Sequence, residues 1–194
     1  MIRNLVFVLV AAMAFSCSTE KALENARIDE YFDLKGTLDS VVEDMLASGA
    51  KLKKQTTMGE EVETVTLELK TKEDWERQFE LFYEADINKV GMSGLYQMET
   101  LQAFDGIEKQ IYAATKKSAF VKSIECAYRD GKLFTIRIIA SDKNFVYGAA
   151  REYILHFNHF KSKMRLDHYS ISSAEQMLFK GELDIQVVAD VVID

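Results

Sequence analysis

From residue 29 to residue 48 the apolar positions Tyr31, Leu34, Leu38, Val41, Val42, Met45 and Leu46 recur at the helical period, with Lys35, Asp39, Glu43 and Asp44 on the other side. The pattern predicts an amphipathic helix that ends at Gly49. The period then drops to two. In "LKKQTTMGEEVETVTLELK", Val65, Leu67 and Leu69 alternate with Thr66, Glu68 and Lys70, which predicts the second arm of a hairpin turning near Gly59. Thr71 and Asp74 have the spacing of a capping box, and the helix they open places Trp75, Phe79 and Phe82 on one side. Such an aromatic stripe is expected to pack on a sheet.

Beyond "DINKVGMSGLYQ" the chain reads as strands. Asp105-Gly106 and Asp130-Gly131 separate strand-like runs, and Asp-Gly adopts the positive φ angles of tight hairpin turns at low cost. Further turns are expected at 116–118, at 141–144, over 158–161 and near Gly181. Phe134, Ile136, Ile138 and Ala140 are expected to share one face of a strand, as are Leu183, Ile185, Val187, Ala189, Val191 and Ile193. Strands joined by short turns run antiparallel, because parallel neighbours need long crossovers. The expected fold is α+β: two N-terminal helices packed on a large antiparallel meander of six or seven strands plus the early hairpin, with room to curve towards a half-barrel.

The opening residues bear on where this fold sits. "MIRNLVFVLVAAMAFSCSTEKALENARIDE" has Arg3, an uncharged run of eleven from Leu5 to Phe15, and then small and polar residues. Crossing a bilayer takes about 20 apolar residues, so a span is not expected. A charged start, a short apolar stretch and a small residue before the cut are the parts of a secretory signal. The stretch Ala14-Phe15-Ser16-Cys17 resembles the lipobox of bacterial lipoprotein signal peptides. It departs from that pattern at Ala14, where Leu is usual, and at Phe15, where a small residue is usual. The resemblance implies cleavage after Ser16, acylation of Cys17 and attachment to a membrane through that lipid; ordinary signal cleavage is the alternative. Ser18 after the acylated cysteine implies an outer-membrane address, on the periplasmic or surface face. The expected organisation is a signal peptide over 1–16, a lipid-anchored tether over 17–28 and one domain over 29–194.

Cleavage removes Arg3 and no acid, so the formal charge moves from −7 to −8. An acidic domain is a poor partner for nucleic acid, whose phosphates demand a basic face. The lysine clusters at 51–54 and 116–117, and Lys161, Lys163 and Arg165, lie beside expected strands. Lysines there discourage pairing with another chain. The chain has no proline, so charge and covering helices must guard the sheet edges. With Cys17 acylated, Cys126 is the other thiol; no intramolecular disulfide is available and the core must hold the fold.

Nucleophile-elbow, P-loop, dinucleotide, His-Glu-x-x-His and Cys-x-x-Cys motifs are missing, and no cofactor is expected. His156, His159 and His168 lie within thirteen residues, and with Asp167 they are candidate zinc ligands. Residues 156 and 159 point to opposite faces if both belong to one strand, so only a turn between them would gather the set. Cys126, on the apolar side of its strand, is expected to be inert packing rather than a nucleophile served by His156.

Three classes of function remain, in this order. The first is a non-catalytic, lipid-tethered domain that binds or scaffolds a protein or polymer of the envelope through its sheet or loop ends. The second is a carrier or acceptor of an apolar ligand, with Tyr112, Tyr147, Tyr153, Phe157 and Phe179 lining a curved-sheet cavity. In length and in joining an open barrel to helices, that reading is loosely similar to the lipoprotein carrier and acceptor proteins of the bacterial periplasm, with no diagnostic residue matched. The third is a metal-dependent hydrolase built on the 156–168 segment.

Overall fold

The helical period of the early chain becomes α1 (Leu34–Ser48), and the period-two stretch after it becomes the hairpin of β1 (Lys51–Met58) and β2 (Glu61–Glu68). These elements belong to a computed structural model that describes residues 26–102, 106–161, 163–178 and 181–193. The expectations for the signal peptide, Cys17, Asp105 and Phe179 lie outside the described residues. Asp33 caps α1 by accepting a hydrogen bond from Gly36 N at 2.9 Å. A Cβ on Gly36 would lie 2.1 Å from the Asp33 carboxylate as it stands, so a larger residue there would make that side chain shift. Gly49 ends the helix in the left-handed conformation, φ 63°, and its N–H reaches back to the carbonyls of Met45 and Leu46.

The capping box of Thr71 and Asp74 forms and opens α2 (Lys72–Gln78). At Phe79 the chain leaves helical geometry and starts again as α3 (Glu80–Glu84), so the second expected helix is two short ones. Nor are the helices all N-terminal. Only α1 precedes the sheet; α2 and α3 stand between the first hairpin and the meander, because β1 and β2 join the sheet itself.

The meander comprises β3 (Tyr96–Gln102), β4 (Ile107–Ala114), β5 (Val121–Arg129), β6 (Lys132–Lys143), β7 (Tyr147–Phe160), β8 (Lys163–Met177) and β9 (Gly181–Val192). All neighbouring pairs are antiparallel. The last strand returns beside the first, giving the order β2-β1-β9-β8-β7-β6-β5-β4-β3. The fold is α+β, with an open sheet whose edges are β2 and β3 rather than a closed barrel. Glu61, Glu63 and Glu68 put charge along the β2 edge, one of the two guards available to a chain without proline.

Three bulges disturb the regular pairing: one leaves Lys122 as the extra residue, since Val121 pairs with Ala140 and Ser123 with Ile139, and two others bear on the alternation read from the sequence. Thr135 pairs with Ala127 but Leu133 pairs with Tyr128, leaving Phe134 as the extra residue. Leu133 therefore turns into the core, and Phe134 lies instead under the Arg129 guanidinium, 4.9 Å from its ring centre. In the bulge between β7 and β8, His156 pairs with His168 and Phe157 with Leu166, which sets Asp167 aside. The turn expected at 141–144 falls later, since β6 runs to Lys143. The Asn144 side chain makes the turn by accepting from the N–H groups of Val146 and Tyr147, both at 3.0 Å. The turn over 158–161 also comes at its end, at Lys161 with φ 49°.

The core lies between one face of the sheet and the helices. Trp75, Phe79 and Phe82 are fully buried; Phe79 and Phe82 stand edge-on to Tyr169 at 5.5 and 5.7 Å. Nearer the β3 edge, a lead segment takes over from the helices. Tyr31 packs edge-on to Tyr96 and Tyr112, and the buried Asn88 side chain bonds the backbone of Glu30, Tyr31 and Phe32. Residues 26–28, expected as tether, are already tied down: Val90 N donates to Ala26 O, Ile28 N to Asn88 O, and Arg27 pairs with Asp33 and Asp86.

Candidate functional site

Side chains of a strand alternate between faces, so each residue buried under the helices has neighbours that point the other way. Antiparallel register then assembles those neighbours into rows across the uncovered face. One row runs Ile139, Glu152, Ser172, Gln186 and Thr57 across β6, β7, β8, β9 and β1. The row beside it runs Ser141, Ala150, Ala174 and Asp184. Where Ala150, Ala174 and Ser172 meet, the side chains are too short to fill the surface. Longer ones flank them: Arg137 pairs with Glu152 on one side, and Asp184 and Gln186 stand on the other. The result is a groove of about 570 Å³ across the strands, continued towards the turns by a recess of about 410 Å³ at Gly148, Gln176 and Glu182.

Hydroxyls, an amide and a mixed-sign rim suit hydrogen bonding to a polar surface or an extended chain. The groove contains no histidine or cysteine, so the usual pairing of nucleophile and imidazole base is missing from it.

Of the three histidines, two meet. His156 and His168 face each other across β7 and β8 on the uncovered face, with ring centroids 4.2 Å apart and planes 24° from parallel. His156 Nδ1 lies 3.4 Å from Thr135 Oγ1, and His168 Nδ1 lies 3.2 Å from the carboxylate of the bulged Asp167. Burial, and then the neighbouring His168, hold the His156 pKa below its ordinary value. His159 points to the other face, where its Nε2 is 2.7 Å from the Leu133 carbonyl and donates to it. Among the described residues, no group of three or more His, Cys, Asp or Glu side chains is placed to hold a metal ion.

Cys126 lies on the helix-covered face, between Gln110 of β4 and Ile136 of β6, and is fully buried. Burial, with Glu125 adding to it, pushes its thiol pKa far up, so the reactive thiolate is suppressed. The sheet itself separates it from His156.

Of the aromatic residues expected to line a cavity, Tyr112, Tyr147, Tyr153 and Phe157 share the covered face, but the space between them is occupied. Tyr112 packs on Tyr31, Tyr153 on Phe82 at 5.5 Å, and Phe157 is buried in the core. Tyr147 is half-buried; its hydroxyl accepts a 2.7 Å hydrogen bond from Arg151, which also approaches Glu175.

Sequence reasoning did not single out Thr57, Arg137, Ala150, Glu152, Ser172, Ala174, Asp184 or Gln186. Their one signal is period-two alternation of small and polar residues, as in "SISSAEQ", which does not say which strands become neighbours. No protein-family model, curated protein or solved structure matches the chain. The site is therefore read from its own geometry.

Proposed function

We propose that this protein is a non-catalytic binding or scaffold domain of the bacterial cell envelope, held at the outer membrane by a lipid on Cys17 and binding an envelope protein through its uncovered sheet face. One observation carries the reading: Tyr112, Tyr153 and Phe157, which would line a ligand cavity, are buried in the core between sheet, helices and lead segment, while the groove lies on the face that no helix covers. Ser172, Thr57 and Gln186 offer donors and acceptors to a polar partner, and Arg137, Glu152 and Asp184 set the charge along the rim.

Two measurements test it. Mass spectrometry of the purified chain should show acyl mass, and Cys17→Ser should abolish it. A photoreactive residue in place of Ser172 should form one discrete adduct in intact cells, and one in place of Glu73, on the helix surface, should form none. Equal labelling from both positions would remove the binding role of the groove.

One feature favours the carrier as a second reading. The hydroxyls of Tyr153 and Tyr169 and the indole N–H of Trp75 are buried without hydrogen-bond partners, and such groups are rare in a closed core. A ligand entering between helices and sheet would satisfy them. Native mass spectrometry would then show a bound small molecule, whereas the bare acylated chain supports the scaffold.

A further inference from the structure

The groove and the aromatic core leave unexplained an apolar cluster at one end of the sheet. Phe145, 91 % exposed, is the most exposed large apolar side chain among the described residues, and Val146 and Leu178 beside it are 51 % and 58 % exposed. They belong to two different turns, β6–β7 and β8–β9, joined by the hydrogen bond from Leu178 N to Val146 O at 3.1 Å. Apolar side chains this exposed add little to the fold, and their pairing across two turns makes a patch rather than scattered singles.

Charge at this end of the sheet is divided. Lys116, Lys117, Lys122 and Lys143 lie on the β4–β6 side, with Asp142 among them. Lys122 is held there by the carbonyls of Lys117 and Ala119, at 2.7 and 2.5 Å. Glu60, Glu61, Glu182 and Asp184 lie on the opposite side, around the β1–β2 turn and the start of β9. The lead segment also reaches the basic side, through a chain of backbone hydrogen bonds. Ser141 N donates to Phe120 O, Thr115 N to Leu95 O, and Val90 N to Ala26 O. Eight residues lie between Cys17 and Ala26, and the nine steps of chain reach at most about 32 Å.

We propose that Phe145, Val146 and Leu178, with the lysines beside them, rest in the anionic phospholipid surface that the acyl chain on Cys17 enters. Apolar tips at headgroup depth with cations at the phosphates are the arrangement that binds a membrane interface. A second copy of the chain is the competing occupant, since a two-fold contact sets the lysines of one copy against Glu182 and Asp184 of the other, and the vesicle experiment separates the two. The inference rests on the lipoprotein reading and adds an orientation to it: the basic side and the two apolar turns towards the bilayer, the acidic side away.

The test uses the full acylated chain with Phe145→Trp, reconstituted in vesicles of phosphatidylethanolamine and phosphatidylglycerol. Trp75, the native tryptophan, is fully buried and supplies a constant background. The added emission should shift to shorter wavelength and fall by about twofold with brominated acyl chains, and Lys116→Glu with Lys117→Glu should weaken that quenching. Acylated protein that floats with the vesicles yet shows no quenching overturns the proposal and leaves the anchor standing. A blue shift that needs only higher protein concentration, without vesicles, overturns it in favour of self-association. A chain without acyl mass removes the anchor and the proposal together.

Discussion

Along β7, Tyr153, Leu155 and Phe157 point beneath the helices and are buried, while Glu152, Ile154 and His156 point the other way and stay partly exposed. The two sets come from one strand with one backbone geometry. What separates them is the layer above. The covered face meets Trp75, Phe79 and Phe82 and is packed to the density of an interior; the uncovered face meets water and keeps a groove where Ala150 and Ala174 are small. Stability is concentrated on the first face, and the second is left free to be shaped for recognition.

The largest expected effect breaks the packed side. Phe82→Ala removes the ring between Tyr153 and Tyr169 and should cost about 3–5 kcal/mol in urea unfolding, whereas Ile139→Ala on the uncovered face should cost about 1 kcal/mol or less. Equal losses would show that the two faces do not differ in this way. Next comes the contact between helix and sheet. Asp44 of α1 is buried beside Lys163 and Arg165 of β8. Asp44→Ala leaves the buried Arg165 Nε with no carboxylate and should lower stability by about 1–3 kcal/mol, read as a shift in midpoint at constant denaturant slope.

A smaller effect tests the uncovered face through pH. His156 is held below its ordinary value of 6.5, so the unfolded chain takes up the proton first as the pH falls. The contribution of neutral His156 is therefore complete above about pH 6.5 and declines as the pH drops through that range towards the folded value. Thermal midpoints measured from neutral to mildly acid pH should fall, and His156→Gln should flatten the slope. The smallest stability change belongs to the groove. Ser172→Trp should alter stability by no more than about 0.5 kcal/mol yet abolish adducts formed from a photoreactive residue at Gln186. Adducts that persist would place the partner elsewhere.

Much of this architecture was legible in the sequence, and the misses have local causes. The end of α1 at Gly49, the capping box at Thr71 and the tight turn at Asp130-Gly131, with φ of 52° and 71°, all follow from contacts within a few residues. Phe134 was assigned to the wrong face because a bulge adds one residue and reverses the alternation beyond it. The candidate site was read less well. Two of three histidines meet through the register of one hairpin, while Tyr112, Tyr153 and Phe157, chosen as cavity lining, are buried in the core on the helix-covered face.

By itself the sequence determined where most helices and strands lie, which residues of a strand share a face wherever no bulge intervenes, and that most strands follow one another antiparallel. These depend on hydrophobic period, caps and turn residues, whose interactions span a few positions. Only the tertiary structure decided that β9 closes back beside β1, that α2 and α3 cover one face and leave the other bare, and that Ala150, Ala174 and Ser172 come together as a groove floor. Each of those outcomes rests on pairing between segments far apart in the chain, where a shift of one residue exchanges the two faces and no local signal records the choice.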